Sequence, residues 1–109
     1  MFIRLFAYAI DETKAKMVLD DVIKAIKFDI EGIDYLKCEP YWKMDGIYEM
    51  ELKITLKRKL SDTEFNAFLE NVSDRWMLFG TPPDEMLTSI TMEGCSYIKN
   101  GVYLLNVLM

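Results

Sequence analysis

The hydrophobic patterning of this 109-residue chain predicts an α+β domain, with two helices packed on one face of a mainly antiparallel sheet. Three observations carry that expectation. The segment from Asp34 to Lys59 alternates apolar and polar residues with a period of two around the turn signal Asp45-Gly46. Two other stretches repeat their apolar residues at three- and four-residue intervals. The first and last apolar runs are apolar on both faces, as strands interior to a sheet must be.

The hairpin is the clearest signal. Tyr48, Met50, Leu52, Ile54 and Leu56 alternate with Glu49, Glu51, Lys53, Thr55 and Lys57, the pattern of a strand buried on one side. In the preceding arm Leu36, Cys38, Pro40, Trp42 and Met44 oppose Tyr35, Lys37, Glu39, Tyr41 and Lys43. A strict two-residue loop at Asp45-Gly46 would set apolar faces against polar ones. A three-residue loop, with Met44-Asp45 in a type I turn and Gly46 left-handed, aligns them. That register pairs Trp42 with Tyr48, Cys38 with Leu52 and Leu36 with Ile54, and places Trp42, Leu36, Cys38, Met50, Leu52 and Ile54 on the helix-covered side. Pro40 cannot donate to a ladder, so its arm is an edge or bulged strand.

The remaining elements follow in order. Phe2 to Ala9 reads as a central strand. Asp11 caps a helix from Glu12 whose stripe is Ala15, Val18, Leu19, Val22, Ile23 and Ile26, ending near Phe28, with Asp29 to Asp34 as a loop. Ser61-Asp62-Thr63-Glu64 is a capping box for a second helix, carrying Phe65, Phe68, Leu69, Val72 and Trp76 and closed by Gly80 before Pro82-Pro83. Leu87 to Met92 is a short strand, Glu93-Gly94 and Asn100-Gly101 are turns, and Val102 to Met109 is the last strand. The order predicts a four- or five-stranded sheet of ferredoxin-like (split βαβ) type, or a variant with a C-terminal hairpin. Residues 1–109 are expected to form one domain, since neither a repeat nor a linker divides them.

Composition narrows the chemistry. The 51% hydrophobic content suffices for a core and argues against disorder. The formal charge of -5 disfavours a nucleic-acid partner and suits a basic protein. Neither a leader pattern nor a membrane-length apolar run is present, so a cytoplasmic location is expected. With no histidine, the commonest general base and transition-metal ligand is missing. The five glycines are isolated at turns and helix ends, not gathered in a phosphate loop. Cys38 and Cys95 read as ordinary reduced thiols. Neither a cofactor nor a metal site is expected, and the chain is expected not to be an enzyme.

What remains is surface recognition. Glu39, Glu49, Glu51, Tyr35 and Tyr41 are placed on the strand face opposite the core, beside Phe2, Phe6 and Tyr8 of the first strand. Such a face suits a heterologous partner, a second copy of the chain, or a covering segment of the chain itself. In size, acidity, architecture and this pairing of glutamates with tyrosines, the chain resembles the small immunity proteins that neutralise bacterial toxins. The resemblance implies a non-catalytic inhibitor that occludes a toxin, such as a basic nuclease, with Glu39, Glu49 and Glu51 meeting its cations and Tyr35 and Tyr41 at the centre. Two alternatives stand beside it. One is a ferredoxin-like homodimer that senses a ligand or serves a structural role, and the other is a small dimeric monooxygenase or isomerase with a pocket between sheet and helices.

Overall fold

The computed structural model describes residues 1–109 as β1 (Phe2–Tyr8), α1 (Glu12–Ile23), a 3-10 segment (Lys24–Asp29), β2 (Ile30–Pro40), β3 (Ile47–Leu56), α2 (Asp62–Val72), β4 (Met77–Phe79), β5 (Glu85–Ser89) and β6 (Val102–Leu108). The strands make one antiparallel sheet in the order β2-β3-β1-β6-β5-β4. Its first four strands and the two helices have the split βαβ arrangement. The β4–β5 hairpin, inserted between α2 and β6, extends the sheet to six strands rather than the four or five expected.

Both helices lie on one face. Ala15, Leu19, Val22 and Ile23 of α1 and Phe68, Leu69 and Val72 of α2 join Ile3, Leu5, Met50, Leu52, Ile54, Leu105 and Val107 in one core. These strand residues are alternate positions of β1, β3 and β6, so a period of two meets a period of 3.6 along one plane. β1 and β6 are paired on both sides, in accord with their apolar character. Asn100-Gly101 closes onto α1: Gly101 has φ +88°, and a Cβ there would lie 2.7 Å from Val18 Cγ2, so both backbone and space require glycine.

The helix starts follow their local signals. Asp11 accepts from the Lys14 amide at 2.8 Å. At α2 the capping box is complete, with the Glu64 amide donating to Ser61 Oγ at 3.2 Å and the Ser61 amide donating to Glu64 Oε1 at 2.9 Å. The Arg58 guanidinium grips the same carboxylate in a fork and holds the Glu64 carboxyl down to about 2 from the ordinary 4.5, with the Ser61 hydrogen bonds adding to it.

Three expectations fail, each for a local reason. First, β2 begins at Ile30, so the segment read as a loop is mostly strand, and it ends at Pro40. Pairings are Cys38 with Met50, Glu39 with Glu49 and Pro40 with Tyr48, two residues from the expected register, and the phase slips again between Tyr35 and Lys37. The connecting loop is therefore longer than three residues, with the Tyr41 amide bonded to the Ile47 carbonyl at 2.8 Å and Gly46 left-handed at φ +78°. Trp42 falls in this loop and Leu36 at the bulge, and they are 80% and 60% exposed instead of buried. Second, α2 ends at Val72 rather than near Gly80. Ser73 adopts extended backbone, its hydroxyl accepts from the Arg75 amide at 3.2 Å, and Trp76 turns back to donate Nε1 to the Leu69 carbonyl at 2.9 Å. A side chain competing for the backbone has ended the helix, freeing Met77–Phe79 to pair as β4. Third, β5 ends at Ser89 instead of continuing to Met92, which leaves Ile90 and Met92 in a turn; beyond it Ile98 bridges to Ser73.

Leu52→Ala should lower the unfolding free energy by about 2–5 kcal/mol, whereas Trp42→Ala should stay within about 0.5 kcal/mol of wild type in urea titration. Ser61→Ala should cost about 1 kcal/mol. Glu64 has a folded pKa below its unfolded one, so its stabilisation is complete above about 4.5 and is lost as pH falls towards about 2. The urea midpoints of wild type and Glu64→Gln should accordingly converge across that window, with wild type the more stable at neutral pH.

Candidate protein-binding face

The second face of the sheet has no helix over it, and the carboxy-terminal segment does not cover it, because that segment is β6. Register fixes what the face carries. Across the strands, Lys53, Phe2, Leu108 and Glu85 form one row, Glu51, Arg4, Asn106 and Leu87 the next, and Glu49, Phe6, Leu104 and Ser89 a third. Glu39 and Lys37 extend the face onto β2, and Met77 and Phe79 onto β4. Met77 and Phe79 are exposed, and Phe2, Phe6, Leu87, Leu104 and Leu108 are half-buried.

Of the five residues singled out in the sequence, four meet on this face and one does not. Glu39 and Glu49 are cross-strand neighbours, Glu51 follows on β3, and Tyr41 reaches over from the loop to lie edge-on to Phe6 at a 4.9 Å centroid distance. Tyr35 is on the helix side, with Lys16 Nζ of α1 5.3 Å from its ring centre. The slip between Tyr35 and Lys37 explains the separation, since one extra residue reverses every side chain beyond it.

The carboxylates are mostly engaged within the chain. Lys37 Nζ lies 3.1 Å from Glu49 and 3.4 Å from Glu39, and Arg4 lies 3.0 Å from Glu51. The Glu49 hydrogen bond, followed by the charges of both glutamates, raises the Lys37 pKa. Glu49 is only 8% exposed, so of the three carboxylates Glu39 is the one most open to an incoming partner.

At one corner of the face Trp42 and Tyr103, which the sequence pattern does not place here, join Phe6, Tyr8 and Tyr41, which it does. Phe6, Tyr41 and Trp42 follow one another at centroid distances of 4.9 and 6.4 Å, and Tyr8 meets Tyr103 edge-on at 5.7 Å. Ile10, 84% exposed, shares a surface hollow with Tyr41, Met44 and Asp45. Two backbone bonds pin the three loops here: the Tyr8 amide to the Gly101 carbonyl at 2.8 Å and the Ala9 amide to the Gly46 carbonyl at 3.0 Å. The available signal was Pro40. A strand that stops at its proline leaves Tyr41 and Trp42 in the loop.

Elsewhere the surface is less organised. A cleft of about 310 Å³ between α2 and the β4–β5 hairpin is lined by Phe65, Leu69, Leu78, Pro82, Pro83 and Met86, with Asp62 at its mouth. Cys38 and Cys95 are free thiols, and burial pushes the Cys38 pKa up, away from thiolate chemistry. His, Cys, Asp and Glu side chains form no group of three or more suited to hold a metal ion. No helix is long and apolar enough to cross a membrane. The chain matches no family model, no curated protein and no solved structure.

Lys37→Met should destabilise the fold and Glu49→Gln in the same background should recover part of the loss, because the substitution leaves Glu49 nearly buried beside Glu39 without a cation. Thermal unfolding of the two variants checks this, and equal midpoints would contradict it.

Proposed function

We propose that the protein is a non-catalytic inhibitor that acts by occlusion, docking its aromatic corner on a basic protein partner in the manner of an immunity protein against a toxin. The observation that carries this reading is Trp42, 80% exposed yet held in place by Tyr41, which is itself seated on Phe6. A large aromatic group with this exposure gains little for the fold, and a ring positioned by other rings loses little entropy when a partner covers it. Glu39 and Asp45 flank Tyr41 with negative charge, Lys43 Nζ lies 5.0 Å from the Trp42 ring centre, and the net charge of -5 favours encounter with a basic surface.

The division of labour differs from one in which Glu49 and Glu51 meet the partner directly. Those two carboxylates are neutralised by Lys37 and Arg4, so Glu39 and Asp45 steer while Tyr41 and Trp42 anchor. Pull-down from the source cell followed by titration of the recovered protein tests the reading. Trp42→Ala should accelerate dissociation at least tenfold with little change in association, and Glu39→Lys should slow association with a smaller effect on dissociation. Recovery of a partner whose binding is indifferent to Trp42 and Tyr41 would overturn it.

A further inference from the structure

We propose that the centre of the helix-free face binds a second copy of this chain, forming a two-fold dimer with its axis along the strands between β1 and β6. This surface adjoins the aromatic corner, with Phe6 at their border, and does not rest on the inhibitor reading. The row Lys53, Phe2, Leu108, Glu85 is the origin of the inference. It runs cation, apolar, apolar, anion, with Phe2 on β1 and Leu108 on β6 at its centre.

A two-fold axis lying between those strands sets each residue against the one equally far on the other side of the row. Phe2 then covers Leu108 of the second copy, and Glu85 meets Lys53 of the second copy, with both contacts made twice. Two rows further on, the same operation sets Leu104 against the edge of Phe6 that its own Tyr41 leaves open. Lys53 is exposed and, although Asp34 of β2 is its cross-strand neighbour, makes no ion pair within its own chain, so its ammonium can reach across to Glu85. Glu85 accepts from Asn106 Nδ2 through Oε2 at 3.0 Å, which holds the carboxylate on this face and leaves Oε1 to receive a lysine.

Geometry permits the contact. Packed sheets cross at about 30°, and Glu85 and Lys53 sit roughly 7 Å from the axis, one and a half strand spacings, so the crossing separates them by less than about 4 Å. A lysine side chain spans that. Six strands at about 4.8 Å spacing and seven residues at about 3.3 Å rise bound a face of roughly 650 Å² before side-chain relief, comparable to the ~800 Å² per partner of a standard interface. Charge also favours a like copy over a strongly basic partner here. Arg4 with Glu51, and Lys37 with Glu49, already neutralise the middle of the face, while the remaining Lys53 and Glu85 complement each other.

Sedimentation at tens of micromolar, with circular dichroism as the control for folding, tests the dimer. Wild type should sediment at twice the 12.8 kDa chain mass. Lys53→Glu and Glu85→Lys should each weaken self-association at least tenfold, and the double swap Lys53→Glu with Glu85→Lys should restore it to within about threefold of wild type, since the reversed pair attracts again. A wild type that stays monomeric, single variants that still dimerise fully, or a double variant no better than the singles would each overturn the proposal. The readout is independent of Trp42, so loss of the dimer and loss of partner binding are separable.

Discussion

The pairing of β2 with β3 is the constraint on which the site depends. β3 has a fixed alternation, because Met50, Leu52 and Ile54 have no exposure under the helices beyond a trace and Glu49 and Glu51 must take the other side. β2 meets that rigid template only by slipping between Tyr35 and Lys37. Before the slip Tyr35 faces α1; after it Lys37 and Glu39 face away from the helices. Lys37 thereby reaches Glu49, and Pro40, which has no amide hydrogen to give, becomes the last rung of an edge strand. The loop that follows carries Tyr41 onto Phe6 and Trp42 into solvent. A change of one residue in this phase would turn Lys37 towards α1, away from Glu49, and dismantle the corner.

The other half of the molecule explains why the face is so wide. Ser73 ends α2 four residues short of Met77; the Thr88 hydroxyl donates to the Arg75 carbonyl at 2.6 Å and its oxygen lies 2.7 Å from the Ser73 hydroxyl, within hydrogen-bond distance. This buried polar knot fastens the end of α2 to β5 and directs the chain into the β4–β5 hairpin. Two more strands are added without a third helix. Helices about 10 Å across can cover one side of such a sheet, but nothing in the chain is left to cover the other. An uncovered face with apolar rows, neutralised charges and an aromatic corner is thus a consequence of topology.

Much of this was legible in the residues and some was not. Helix starts were, since Asp11 and the Ser61–Glu64 pair are satisfied within four residues of chain. The inward face of β3 was, since its alternation is uninterrupted, and the interior position of β1 and β6 was, since both are apolar on both faces, although that same character left β6 without an assigned inward side. The strand β2 was not: its bulge depends on the company of β3, and assuming unbroken alternation placed Trp42 and Leu36 in the core and Tyr35 beside Tyr41. The end of α2 was hidden for a related reason, because Trp76 does continue the apolar stripe but reaches the helix by folding back onto the Leu69 carbonyl. The glutamates at the site were found, but not their cations: Lys37 lies on the hairpin arm whose register was misread by two residues, and Arg4 comes from β1, whose adjacency to β3 no local pattern records.

The register of β2 on β3 can be measured directly in solution. Cys38 and Met50 form a non-hydrogen-bonded antiparallel pair, in which the two Cα atoms approach to about 4.5 Å and the Hα protons lie closer still. A strong Hα–Hα nuclear Overhauser effect between Cys38 and Met50 is the expected result. The same effect between Cys38 and Leu52 would contradict the account, because that register returns Trp42 to the core and removes the aromatic corner from the surface.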